Sequence, residues 1–259
     1  MYTEYLEFAK DIALKAGKIM LKYFNEKVES SYKVDKTIVT KADKEINHYL
    51  IEEVRKQFPN HSVYGEEEMV GNGDYVWVCD PIDGTAMYAR ELPVSVFSLA
   101  LCIKGMPVVG VVYDPFTDHL YYASHGDGAF CNDNKICVSN IKLEDKESVA
   151  HFDMWPSAEY NIYDVVKKLG KKTYFVSIGS IIRASMCVAS GKFTLALFPG
   201  TVNKFYDIAA VKIIVEEAGG IVTNLFGNNQ RYDTTIKGAI ISNKTVYDEV
   251  IDLIRKSKI

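Results

Sequence analysis

The sequence has no CxxC pair, no run of basic residues and no apolar stretch approaching the ~20 residues that span a bilayer. Each absence removes a class of function. The five cysteines (79, 102, 131, 137 and 187) are odd in number and sit mostly in apolar runs. They read as reduced core thiols of a cytoplasmic protein, not as a disulfide framework or a zinc site. A net charge of −4 gives no global attraction to nucleic acid or to an anionic membrane, and aromatic and basic residues are not interleaved. Neither a nucleic-acid polymer nor a membrane is expected as a partner. The residues after Met1 enter an amphipathic pattern rather than a signal peptide. There is no Gly-x-Ser-x-Gly elbow and no cysteine in a phosphate loop, and the five histidines are scattered without ligand spacing, so none is expected in a reaction.

The most telling absence is local. Between Lys56 and Arg90 there is no Lys or Arg, yet the segment carries Glu66, Glu67, Glu68, Asp74, Asp80 and Asp83. Ordinary surfaces mix the two signs. An acidic segment of this kind suits bound cations.

What is present describes a globular chain of 259 residues, 48% hydrophobic and 25% charged, enough for a full core. Leu6, Ala9, Ile12, Ala13, Ala16, Ile19, Met20 and Tyr23 recur at helical spacing behind Thr3, a candidate N-cap. Ile46, Tyr49, Leu50 and Val54 predict a second helix, and the polar stretch 32–37 between the two a mobile loop. Runs rich in Val, Ile, Tyr and Leu predict strands at 75–79, 94–103, 107–113 and 119–123, joined as an antiparallel meander. Beyond that, helices are predicted at 157–168, 180–190, 205–218 and 245–256, with strands at 173–177, 193–198, 221–224 and 238–242. A meander followed by α/β alternation predicts an α/β (α+β) fold of two sheets layered with helices. Residues 1–145 form the first subdomain and 146–259 the second, within one compact unit.

Asp80-Pro81-Ile82-Asp83-Gly84-Thr85 ends an apolar run on one carboxylate and sets a second three residues later. Two carboxylates and the Ile82 carbonyl make half of a site for a hard divalent cation such as Mg²⁺. Gly84 permits close backbone approach, and a helix starting there would offer free N–H groups to an anion. Taken singly, the segment also fits a capped turn, Glu66 to Glu68 a solvated loop, and Asp207, at the start of an apolar helix, an N-cap.

Taken together, Gly65-Glu66-Glu67, Asp80-Pro81-Ile82-Asp83-Gly84-Thr85 and Asp207-Ile208-Ala209-Ala210 with Glu217-Ala218-Gly219-Gly220 resemble the inositol monophosphatase family. Val39 to Asp43, Gly110 to Pro115, Gly126 to Asn132 and Gly179-Ser180 match in the same order, so the resemblance runs through nearly the whole chain. It implies an α/β/α/β/α sandwich, antiparallel in its first sheet and mixed in its second, usually dimeric. It also implies lithium-sensitive hydrolysis of a small phosphorylated metabolite with two or three Mg²⁺ ions. By the resemblance, Glu66, Asp80 and the Ile82 carbonyl hold one metal, and Asp80, Asp83 and Asp207 a second. Glu66 and Thr85 orient the attacking water, and the Gly84 and Thr85 amides and Gly179-Ser180 bind phosphate. Glu67 lies behind these ligands or helps a weaker third ion, and Thr40 and Asp43 support the mobile loop that closes over the metals.

The departures bear on substrate. Ala86-Met87 replaces two polar residues, Tyr206 stands where Trp is common, and 197–204 lacks the acid that binds inositol hydroxyls. Arg183 and Lys204 are candidates for a second anionic group. Fructose 1,6-bisphosphate, histidinol phosphate and 3′-phosphoadenosine nucleotides therefore stay open beside inositol phosphates. A non-catalytic regulator that binds a phospholigand is the alternative of another class.

Overall fold

A computed structural model describes residues 2–26, 28–32, 38–155, 158–200 and 205–259. The expected mobile residues 33–37 and the candidate Lys204 lie outside these. The chain opens with α1 (Thr3–Asn25), β1 (Ser30–Tyr32), β2 (Ile38–Thr40) and α2 (Lys41–Gln57). Then come β3 (Ser62–Gly65), β4 (Met69–Val70), β5 (Tyr75–Asp83), α3 (Thr85–Tyr88), β6 (Val96–Ile103), β7 (Met106–Asp114), β8 (His119–Ser124), β9 (Gly128–Cys131) and β10 (Asn134–Ile136). The remainder is β11 (Val149–Phe152), α4 (Tyr163–Leu169), β12 (Tyr174–Val176), α5 (Ile181–Ala189), β13 (Leu195–Phe198), α6 (Tyr206–Glu217), β14 (Ile221–Thr223), β15 (Ala239–Ser242) and α7 (Lys244–Arg255).

Period-two patterning sorts the strand side chains into layers. In β5, Trp77 and Cys79 face α1 and α2, packing with Ile12, Ile46 and Leu50. Val76 and Val78 face the other way, toward Ile182 of α5 and Ile208 and Val211 of α6. The second sheet closes over these two helices with Ala196, Phe198 and Ile241, and covers its own outer face with Val165 of α4 and Val246 and Val250 of α7. The order is helix pair, sheet, helix pair, sheet, helix pair. The first sheet has eight strands in the order β10-β9-β8-β7-β6-β5-β3-β4, antiparallel except for β3 beside β5. The second has five, β12-β11-β13-β15-β14, parallel across its first three strands and antiparallel beyond.

The middle layer brings distant sequence together. Helix α6 crosses β7 at Gly110, where a Cβ would stand 2.4 Å from Ile213 and 3.0 Å from the Ala210 carbonyl. At its far end, Glu217 accepts the N–H groups of Gly126 and Gly128 at 2.8 Å each, tying the helix to the β8–β9 turn. The Glu217 and Gly126-Asp127-Gly128 elements are thus two halves of one structural contact.

Several expectations change in detail. Thr3 is the first helical residue, preceded by Tyr2 with no side-chain cap. The second helix begins five residues before Ile46, capped by Thr40. The expected helix at 157–168 shortens to Tyr163–Leu169. Cys79 and Cys102 are buried as expected of core thiols, whereas Cys137 is exposed. No described helix is long and apolar enough to cross a membrane.

One outer-layer contact makes stability pH-dependent. Trp77 donates its indole N–H to Nδ1 of His61 at 3.2 Å, while the ring stacks between Phe58 and Tyr75. Only a neutral imidazole accepts at Nδ1, and burial pulls the His61 pKa below its ordinary 6.5. The folded value lies below the unfolded one, so this contribution is complete above the unfolded value and is lost as pH falls through the folded one. Lowering the pH below about 6.5 is expected to depress Tm more in the wild type than in His61→Gln, measured by scanning calorimetry.

Candidate metal centre

Strict alternation would put Asp80 and Asp83 on opposite faces of β5. A β-bulge prevents it. Asp80 pairs with Ser98 and Asp83 with Val96, so the three steps along β5 match two along β6. The extra residue sends Ile82 to the outer core while Asp83 shares the middle-layer face with Val96. Pro81 fits here because a bulge needs no ladder N–H at that position. The Ile82 N–H instead reaches Oδ1 of Asp80 at 3.0 Å, and the Thr85 hydroxyl donates to the Ile82 carbonyl at 2.9 Å. The strand thus runs on through Pro81 and Ile82 to Asp83, rather than ending before Asp80.

Gly84 follows with φ +82°, a left-handed conformation, and a Cβ there would lie 2.7 Å from the Gly179 carbonyl. Both facts require glycine. Its own carbonyl receives the N–H groups of Met87 and Tyr88 and the Ser95 hydroxyl, closing the short helix α3.

Asp207 reaches the same point from the other half of the chain. It is the second residue of α6, with Phe205 in the cap position, which corrects its reading as an N-cap. Because α6 lies on the middle-layer face of the first sheet, its N-terminus stands over the end of β5. Ligand oxygens of Asp80, Asp83 and Asp207 all lie within 4.8 Å of one another, and all three residues are buried. At that spacing a pair of carboxylates repels by about 3–4 kcal/mol at an effective dielectric constant near 20.

The other expected residues distribute around this trio. Glu66 is half-buried after β3, its N–H donating to the Cys79 carbonyl at 3.2 Å, so it emerges beside β5. It lies outside the 4.8 Å group, but its charge is felt at Tyr206, whose hydroxyl is pushed well above its ordinary pKa by burial and then by Glu66, Asp207 and Asp80. Thr40 and Asp43 form the capping box of α2 behind Glu66 and Glu67, with the Thr40 N–H on the Asp43 carboxylate at 2.8 Å. Burial raises the Asp43 pKa to about 7, against the Thr40 hydrogen bonds and with help from Glu66 and Glu67.

Ser180 and Arg183 have partners within the protein. The Ser180 hydroxyl donates to Oδ2 of Asp83 and accepts the Arg183 N–H at 3.1 Å, capping α5. The Ile182 N–H also reaches Asp83 Oδ2, at 2.8 Å. The Arg183 guanidinium pairs with Asp114 at 3.1 Å and donates to the Pro93 carbonyl at 2.8 Å. Asp83 therefore does two jobs, facing the other carboxylates and holding the start of α5. Sequence reasoning missed Ser180 as its partner. The signal was there, a serine directly before the apolar helix 181–189.

Comparison with known proteins gives the family and the fold. A family model described as the inositol monophosphatase family matches residues 1–258. A protein of Thermotoga maritima named fructose-1,6-bisphosphatase/inositol-1-monophosphatase is 32% identical over 254 residues, covering 97% of this chain and 96% of its own. Among solved structures, an IMPase of Thermotoga maritima superposes with a TM-score of 0.86 at 30% identity, covering 98% of this chain and 97% of that one. A staphylococcal IMPase complexed with products superposes with a TM-score of 0.85 at 27% identity, over 98% and 95% of the two chains. The chain belongs to the inositol monophosphatase family, and its enzyme class is phosphoric monoester hydrolase.

Proposed function

We propose that the protein hydrolyses small phosphate monoesters in a Mg²⁺-dependent reaction centred on Asp80, Asp83 and Asp207. The observation that carries this reading is the convergence of three buried carboxylates, from β5 and α6, within 4.8 Å. The donors are all hard oxygens, which fits Mg²⁺. The nearest soft candidate, Cys79, is fully buried, and burial pushes its thiol well above the ordinary pKa, so it stays protonated. Asp80, Asp83 and Asp207, with Glu66 and the Ile82 carbonyl, would hold the ions. Bound Mg²⁺ supplies a water of lowered pKa and screens the phosphate oxygens.

The chain's own residues supply the rest. The Thr85 hydroxyl spends its proton on the Ile82 carbonyl, leaving its oxygen to accept a hydrogen bond from water and orient it. Glu66, half-buried beside β5, would receive that water's proton. The amides of Gly84 and Thr85 open a helix and have no intrahelical acceptor, which suits a phosphate oxygen. In-line attack forms a new P–O bond to water and breaks the ester bond, and the departing alkoxide takes up a proton. Met87, packed over Gly179, gives the cradle an apolar wall where two polar residues are usual, which favours a substrate other than inositol phosphate alone.

Phosphate release from inositol 1-phosphate, fructose 1,6-bisphosphate, histidinol phosphate and a 3′-phosphoadenosine nucleotide, with Mg²⁺ and with chelator, tests the reading. Metal-dependent turnover of at least one ester is expected. Silence on all four would point to a phospholigand-binding regulator instead.

A further inference from the structure

The strands β12, β11 and β13 run parallel, and at their carboxyl ends, the usual place for a site in such a sheet, the loop after β12 reaches Asp83 through Ser180. His151 lies there, fully buried, paired in register with Val176. Its Nε2 contacts Oδ2 of Asp153 at 2.9 Å, so Nε2 carries the proton. Its Nδ1 is buried and has no hydrogen-bond partner among the described residues. The ring is therefore buried at a cost for the sake of a single donation.

What that donation holds is a loop. The Asp153 carboxylate also accepts the Ser177 hydroxyl on Oδ1 and the Gly179 N–H. Burial alone would raise its carboxyl, but the donors from His151, Ser177 and Gly179 hold it below the ordinary value. One carboxylate thus holds the first and third residues of the four that connect β12 to α5. The next residue, Ser180, donates to Asp83, and the Gly179 carbonyl lies against Gly84. A continuous chain of contacts runs from His151 through Asp153 and the 177–180 loop to Asp83.

We propose that the His151–Asp153 pair is a positioning device for the metal centre, fixing the 177–180 loop so that Ser180 and the start of α5 hold Asp83 in its ligating orientation. This rests on the metal reading given above. His151 and Asp153 touch neither metal nor substrate in it; they act through Ser180.

The test is Mn²⁺ binding, read from the electron paramagnetic resonance signal of free Mn²⁺, alongside Tm and the separation of kcat from KM. His151→Leu removes the donor, and His151→Gln offers an amide N–H near the place of Nε2. Ser177→Ala removes one loop donor at an exposed residue and serves if His151→Leu does not fold. Loss of a partner behind a ligand typically weakens metal affinity by about 10–100-fold, so His151→Leu is expected to raise the Mn²⁺ Kd about tenfold or more. His151→Gln is expected to recover most of the loss, and Ser177→Ala to weaken binding to a smaller degree. In the enzyme, kcat falls at saturating substrate while substrate KM changes little. A lower Tm with Mn²⁺ affinity unchanged in both His151→Leu and Ser177→Ala would reduce the pair to a structural role and overturn the inference alone. Wild-type protein that takes up no Mn²⁺ would overturn the metal reading and this inference with it.

Discussion

Asp80→Asn is expected to abolish Mg²⁺-dependent phosphate release while leaving the fold in place. Asp80 is 2% exposed and shares the 4.8 Å cluster with Asp83 and Asp207. An asparagine keeps the volume and still accepts the Ile82 N–H through its amide oxygen, so the bulge survives. What disappears is one negative charge of the three-carboxylate cluster, which the proposed Mg²⁺ site would need. A loss of about 4 kcal/mol of electrostatic stabilisation corresponds to roughly 10³-fold in kcat/KM. A phosphate-release assay across a Mg²⁺ titration checks this, with calorimetry to confirm folding. Activity within tenfold of wild type at ordinary Mg²⁺ would count against Asp80 as the shared ligand.

The second large effect is thermodynamic and needs no substrate. A ligand at a hundred times its Kd stabilises the folded state by about 2.7 kcal/mol, and in a chain of this size each kcal/mol moves Tm by about 2–4 °C. Saturating Mg²⁺ should therefore raise the wild-type Tm by about 5–10 °C. Asp207→Asn, isosteric and at the start of α6, removes carboxylate repulsion from the metal-free cluster, so it should keep or raise the metal-free Tm while reducing the Mg²⁺-induced rise to about 2 °C or less. Differential scanning calorimetry with and without Mg²⁺ reads both numbers. An undiminished shift in the variant would mean that the ion binds elsewhere. A shift lost together with a collapsed metal-free Tm would mean that Asp207 serves folding first.

How much of this was legible in the sequence follows the range of the contacts involved. Residue type and short spacing marked Asp80, Asp83 and Gly84, and the missing basic residues between Lys56 and Arg90 set the segment apart. Those signals are local. The bulge at Pro81-Ile82 was not legible, because it exists only relative to Ser98 and Val96 on the neighbouring strand. Asp207 was marked as a helix-start residue, but its role depends on α6 lying across β7 at Gly110, a packing fact. Ser180 was expected on the phosphate side, and its bond to Asp83 joins residues 97 positions apart. Arg183 looked available for an anion until Asp114 appeared beside it. His151 gave no signal, since a lone histidine in an apolar strand has the same appearance whether it fills a core or props a site.

The most direct measurement is anomalous diffraction from crystals of the wild-type protein equilibrated with Mn²⁺. Density for the ion is expected in the cleft, in bonding contact with carboxylate oxygens of Asp80, Asp83 and Asp207. Crystals saturated with Mn²⁺ that show those three carboxylates without a peak between them would contradict the assignment of this cluster as the seat of catalysis.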